Sequence, residues 1–162
     1  MATRREILKW SLGALVGLTG VARRAEAASA DDLAIVVASS SPIQALNQYE
    51  LKKLYLGSHI TDPAGERIVP FNQAPNAPDR IAFEHNVLGM TPEEVARYWI
   101  DRKIRGQGGA PKAIMPVDLL QRVVSRLPHS LTYVRSDQVL ADVRVIPIDG
   151  KLPGDPGYKL FL

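Results

Sequence analysis

The chain has 162 residues, among them 20 basic and 17 acidic side chains and no cysteine. The absence of cysteine excludes disulfides, thiolate chemistry and cysteine-based metal sites. Five of the basic and two of the acidic residues fall within residues 1–30, so residues 31–162 carry equal numbers of positive and negative groups. This neutral balance excludes a general electrostatic attraction to nucleic acid or to acidic partners. Residues 31–162 are enough for one domain but not for two.

Residues 1–30 have the features of an export signal. Residues 3–9 read TRREILK, which fills nearly every position of the pattern read by the bacterial twin-arginine translocase. The apolar run at 10–22 is too short to span a bilayer, and small-x-small cleavage patterns follow at 25–27 and 28–30. We therefore predict a twin-arginine signal peptide over residues 1–30 and a periplasmic mature protein without a membrane span. An ordinary Sec signal is the alternative.

The first predicted elements after the signal are a strand and a capped helix. Residues 33–38 (LAIVVA) form a continuous apolar run, typical of a strand buried on both faces of a parallel or mixed sheet. The polar turn SSSP at 39–42 ends this strand. Asn47 and Glu50 have capping-box spacing, which predicts a helix that begins after Asn47 and stops at Gly57.

The middle of the chain predicts a second strand and two further helices. Residues 67–71 (RIVPF) have the composition of a strand, and Pro78 suits the first position of a helix over 79–88 that ends at Gly89. Thr91 and Glu94 form a second capping box, which opens an amphipathic helix.

The last third of the chain predicts one more helix and two more strands. The segment GQGG at 106–109 lacks the Lys-Ser/Thr of a phosphate-binding loop, which favours a flexible connector. A helix is predicted over 117–127, with strands at 131–135 and 143–148. The order β-α-β-α-α-α-β-β predicts an α/β fold with a mixed sheet flanked by helices. We expect the tail after residue 149 to wrap over the surface.

Several short segments, taken in order, resemble one known family. VVASSSPI at 36–43 and ELKKLYLG at 50–57 are similar to a strand and helix of phosphate-type ABC transporter substrate-binding proteins. Similar matches follow in the same order at 68–73, 80–83, 87–89, 98–99, 105–111 and 133–134. The resemblance covers residues 33–148. It implies a periplasmic-binding-protein-like domain over residues 31–162, as a short member with a single lobe.

Two departures from that family bear on the ligand. Full members have two lobes that clamp the oxyanion between helix N-termini, so the resemblance implies a half-clamp that binds less tightly. Where phosphate binders carry Ser-Gly-Thr, this chain has Asn76, Ala77 and Pro78, followed by Asp79. Pro78 contributes no N–H, and Asp79 adds a negative charge where an anion would lie. The family turn PGAIGYV is replaced by PHSLTYV at 128–134.

The candidate ligand-binding residues are Ser39, Ser40, Ser41, Asn76 and Arg80. The serines follow the predicted first strand, and open α/β sheets bind ligands beyond the carboxyl ends of their strands. Asn76 and Arg80 flank the start of a helix, where the helix dipole and the guanidinium favour an anion. Two other interpretations stay open. The serines also fit a plain polar turn, and Arg80 also fits a solvated surface arginine that contributes at most about 1 kcal/mol to folding.

Catalysis and metal binding find little support in the sequence. The three histidines, His59, His85 and His129, lie in separate segments without the spacing of a zinc site. No G-x-S-x-G motif surrounds any serine. We therefore expect neither an enzyme nor a cofactor.

The sequence thus predicts an exported, non-catalytic solute-binding protein for phosphate or another small oxyanion, linked to ABC-type uptake or sensing. The expected partners are the oxyanion and an ABC permease or another periplasmic protein, and a homodimer could replace the missing lobe. The alternative is a protein-interaction module, derived from a solute-binding lobe that has lost its ligand.

Overall fold

The computed structural model describes residues 31–162, so the predicted signal peptide at 1–30 lies outside the described residues. The described residues form a mixed sheet in the order β3-β2-β4-β1-β5. Its strands are β1 (Leu33–Ala38), β2 (Val69–Asn72), β3 (Lys112–Ala113), β4 (Ser130–Arg135) and β5 (Val143–Ile146). β2 is parallel to β3 and β4, whereas β1 is antiparallel to both β4 and β5. The predicted α/β class and mixed sheet are confirmed.

Four α-helices of the described residues flank this sheet: α1 (Gln48–Tyr55), α2 (Pro78–Phe83), α3 (Pro92–Ile104) and α4 (Val117–Ser125). Both predicted capping boxes are present, with Asn47 and Glu50 at the start of α1 and Thr91 and Glu94 at the start of α3. The predicted helix over 79–88 is found in two parts. α2 continues as a π-helical turn (Glu84–Leu88) that ends at Gly89, whose φ is 69°.

The sequence predicted which helices and strands occur more accurately than the residues at which they begin and end. β2 begins at Val69, β4 begins at Ser130, and β5 and α4 end two residues earlier than predicted, at Ile146 and Ser125. β3 was not predicted. It consists of two exposed residues at the sheet edge, too few to produce an alternating pattern.

β1 is buried on both faces because helices and tail cover both sides of the sheet. Leu33, Ile35 and Val37 pack with residues of α1 and α2. Ala34 and Val36 join a separate apolar cluster, against which Val117 of α4 packs. This double coverage explains the uninterrupted apolar run in the sequence.

The tail after residue 149 is ordered and covers the start of β1. Leu160 is fully buried, and its carbonyl accepts a hydrogen bond of 2.9 Å from the Leu33 N–H. The Tyr158 hydroxyl donates to the Leu33 carbonyl at 2.6 Å. Within residues 31–162, none of the helices combines the length and apolarity that a membrane crossing needs.

Candidate functional site

The direction of the strands decides which candidate residues meet. β2, β3 and β4 share one direction, so their carboxyl ends lie at the same end of the sheet. Asn76 and Arg80 follow β2 at this end. β1 runs the opposite way, and its end at Ala38 lies near the beginning of β4. The structure therefore does not bring the serines at 39–41 together with Asn76 and Arg80.

The serine turn makes internal contacts. The Ser41 hydroxyl donates to the Pro128 carbonyl at 2.5 Å and accepts from the Ile43 N–H at 3.2 Å. Ser39 is exposed, and its hydroxyl donates to the Asp142 carbonyl at 3.0 Å. Ser40 is exposed as well. These contacts are those of a polar turn tied to the loops around it.

Arg80 makes contacts within the fold. It is therefore not the solvated surface arginine that the sequence also allowed. Its Nε lies 2.7 Å from Glu84 Oε1, and the two side chains are 13% and 3% exposed. Its Nη1 donates to the Gln73 carbonyl at 2.9 Å. Asn76 is exposed in the loop before α2. Arg80 thus holds this loop in place, and Glu84 balances much of its charge.

A buried polar network adjoins Arg80 through Gln73. The Tyr133 hydroxyl donates to Asn72 Oδ1, which also accepts from the Gln73 N–H at 3.1 Å. Gln73 Nε2 donates to the Tyr133 carbonyl at 3.0 Å. The Phe83 ring stacks on Tyr133 with centroids 4.0 Å apart. Burial raises the pKa of Tyr133 well above its usual range, so this hydroxyl stays neutral and donates.

This network joins the carboxyl end of β2 to β4 and supports the loop after β2 from its buried side. Sequence reasoning missed Asn72, Gln73 and Tyr133 as members of one group. The available signal was the pair of amides at the end of a predicted strand, since buried amides need partners.

A second pair that the sequence did not reveal joins Asp62 and His129. His129 Nδ1 lies 2.5 Å from Asp62 Oδ2, and the Asp62 side chain is fully buried. Asp62 Oδ1 also accepts from the N–H groups of Ala64 and Glu66. The hydrogen bond from His129 lowers the pKa of Asp62. Among residues 31–162, no group of three His, Asp or Glu side chains is arranged to hold a metal ion.

An apolar groove lies between α2 and the carboxyl-terminal tail, with a cavity volume of about 740 Å³. Ile81, His85 and Met90 line one side, and Phe161 and Leu162 line the other. Ile81 is 42% exposed and Phe161 is 50% exposed. We name this feature the tail groove.

No protein-family model and no curated protein sequence matches the chain. Solved structures do. An ABC-type phosphate transport receptor from Vibrio cholerae superposes with a TM-score of 0.59 at 18% identity, over 76% of this chain and 48% of the receptor. A phosphate ABC transporter substrate-binding protein from Clostridium perfringens, solved with bound phosphate, gives 0.58 at 18% identity, over 76% and 47%. PstS from Borrelia burgdorferi gives 0.56 at 12% identity, over 76% and 49%.

These similarities confirm the fold that the resemblance implied. The chain spans about half the length of each of these structures.

Proposed function

We propose that the protein is an exported, non-catalytic solute-binding protein that captures phosphate or another small oxyanion for ABC-type uptake or sensing. One observation carries this proposal. The chain shares its fold with several phosphate transport proteins, one of them solved with phosphate bound. Capture of an oxyanion needs hydrogen-bond donors and positive charge but no covalent step.

The proposed site is the loop after β2, with Asn76 and Arg80 as its ligand-binding residues. This loop lies beyond the carboxyl end of a parallel strand, where open α/β sheets bind ligands. The Asn76 side chain is exposed, and Arg80 Nη2 takes part in neither of the contacts that hold Nε and Nη1. Ser39, Ser40 and Ser41 lie at the opposite end of the sheet and are therefore not part of the proposed site. Few donors and an Arg80 neutralised by Glu84 imply weak binding.

The test is the thermal stability of the full chain in phosphate and in sulfate. An anion present at about 100 times its dissociation constant adds about 2.7 kcal/mol of apparent stability. Asn76→Ala should abolish this gain while the unliganded protein melts normally, because the side chain is exposed. Gln107→Ala, which removes another exposed amide, should keep the gain. The proposal fails if neither anion stabilises the unmutated protein.

Export by the twin-arginine route is a separate part of the proposal. Replacement of both Arg4 and Arg5 by lysine keeps the charge but removes the guanidinium pair of the signal. We expect unprocessed precursor in the cytoplasm, detected by immunoblotting of cell fractions. Normal processing of this variant would assign export to the Sec route.

The tail groove favours a second candidate, a protein-interaction module. Exposed apolar patches of this kind often mark protein contacts. Under this alternative, Ile81→Glu and Phe161→Glu should each abolish cross-linking to one periplasmic protein, whereas Leu119→Glu, at a 47% exposed position elsewhere, should preserve it. Stabilisation of the chain by phosphate, with cross-linking unaffected by the groove variants, would reject this candidate.

A further inference from the structure

A second cavity, of about 250 Å³, is lined by neither Asn76 nor Arg80. It is formed where the end of α1, the side of α3, the start of β2 and the edge strand β3 meet. Val69 and Pro70 at the start of β2 line it, whereas Asn76 and Arg80 follow the end of that strand. Residues 109–111 close one side. We name this feature the edge cavity.

The edge cavity is positively charged. Arg67, two residues before β2, and Lys112 of β3 line it, and both side chains are exposed. Among its lining residues, all of them in the described part of the chain, none is Asp or Glu. The carbonyls at the end of α1 accept hydrogen bonds from Leu56, Gly57 and Ser58, so the negative end of that helix is capped.

One wall of the edge cavity is apolar and firmly placed. The Trp99 indole packs so closely on Gly57 that a Cβ there would lie 3.0 Å from Trp99 Cη2. The Arg102 guanidinium lies 5.6 Å from the Trp99 ring centroid. Leu54 and Val69 extend the wall. The cavity therefore pairs a fixed apolar surface with two cations on its rim.

We propose that the edge cavity binds a small organic carboxylate. Two cations with no acid among the other lining residues attract an anion, and the Trp99 wall gives its carbon skeleton a surface that inorganic phosphate would not use. The volume lies below the range of about 300–1,000 Å³ typical of drug-sized ligands, which suits a ligand of a few carbon atoms. This site is independent of the proposed oxyanion site.

The fluorescence of Trp99 provides a direct test. The chain has two tryptophans, so in the full chain with Trp10→Phe the indole of Trp99 is the sole reporter. Succinate, titrated at constant ionic strength, should change this emission saturably. Succinamide, a neutral molecule of the same skeleton, should not. The proposal is overturned if succinate has no saturable effect, or if succinamide acts equally.

Two double variants make the test specific. Arg67→Gln with Lys112→Gln should weaken succinate binding at least about tenfold, since each charge-assisted hydrogen bond contributes about that factor. Arg126→Gln with Lys103→Gln removes the same charge from exposed positions outside the cavity and should leave the affinity unchanged. Equal affinity in both double variants would place succinate elsewhere and overturn the proposal.

Two further titrations separate this site from the oxyanion site. Asn76→Ala should leave the succinate response unchanged, whether or not the oxyanion proposal holds. Inorganic phosphate should change Trp99 emission only at concentrations well above those of succinate. If phosphate acts at the same concentration as succinate, the cavity does not select an organic anion and the proposal fails.

Discussion

At the scale of residues, the ion pair of Arg80 with Glu84 contributes to stability. Glu84 is 3% exposed, so Arg80→Ala leaves a nearly buried carboxylate without its cation. Loss of one partner of a buried ion pair costs about 3–5 kcal/mol. We predict a loss near the lower end, about 3 kcal/mol, because Arg80 itself is 13% exposed. Urea denaturation measures this loss.

The matched control replaces both partners. Arg80→Met combined with Glu84→Leu removes both charges and keeps similar volumes, so it should recover most of the lost free energy of unfolding. A loss below about 1 kcal/mol for Arg80→Ala alone would instead indicate the solvated arginine that the sequence also allowed.

The pair of Asp62 and His129 predicts a dependence on pH. The hydrogen bond from His129 lowers the pKa of Asp62 in the folded protein. The stabilisation that this hydrogen bond provides is therefore complete above the pKa of Asp62 in the unfolded chain, about 3.9. It is lost as the pH falls through the lower pKa of Asp62 in the folded protein. The wild type should melt above His129→Gln by a margin that is largest above about pH 4 and shrinks in stronger acid. A margin that stays constant between pH 6 and pH 2 would show that this bond does not stabilise the fold.

At the scale of elements, the contact between the end of α1 and α3 depends on Gly57. Its φ is 88°, and an added Cβ would meet the Trp99 indole at 3.0 Å. Gly65 has a similar φ of 84° but open space around it. Both alanine variants incur the left-handed backbone cost of about 1–2 kcal/mol, and Gly57→Ala adds an overpacking cost of about 1–3 kcal/mol.

We therefore predict that Gly57→Ala lowers the free energy of unfolding by about 3 kcal/mol and Gly65→Ala by about 1 kcal/mol. Chemical denaturation of the two variants measures the difference. Equal losses would show that Trp99 moves aside without cost and that the two helices are loosely packed.

At the scale of the whole molecule, the carboxyl-terminal tail completes the core. Leu160 is fully buried and its neighbour Phe161 is 50% exposed. We predict that Leu160→Ala costs about 3 kcal/mol, whereas Phe161→Ala costs about 0.5 kcal/mol. Urea denaturation again provides the values. Similar small losses for both variants would show that the tail covers the fold without supporting it.

The sequence alone determined most elements of this protein and the class of its fold. Caps such as Asn47 with Glu50, and the apolar run of β1, are local signals that arise within a few residues. They act before distant parts of the chain meet. The order of these segments also carried the resemblance to phosphate-type binding proteins, and the solved structures confirm the fold that it implied.

Only the tertiary structure decided which residues share a site. The direction of β1 places Ser39, Ser40 and Ser41 at the opposite end of the sheet from Asn76 and Arg80. The apolar run of β1 would look the same in the sequence whichever way the strand runs in the sheet. Asp62 and His129 meet across 67 residues of chain. Segments around 57, 67, 99 and 112 together form the edge cavity. Such contacts depend on how remote segments pack, which no local pattern encodes.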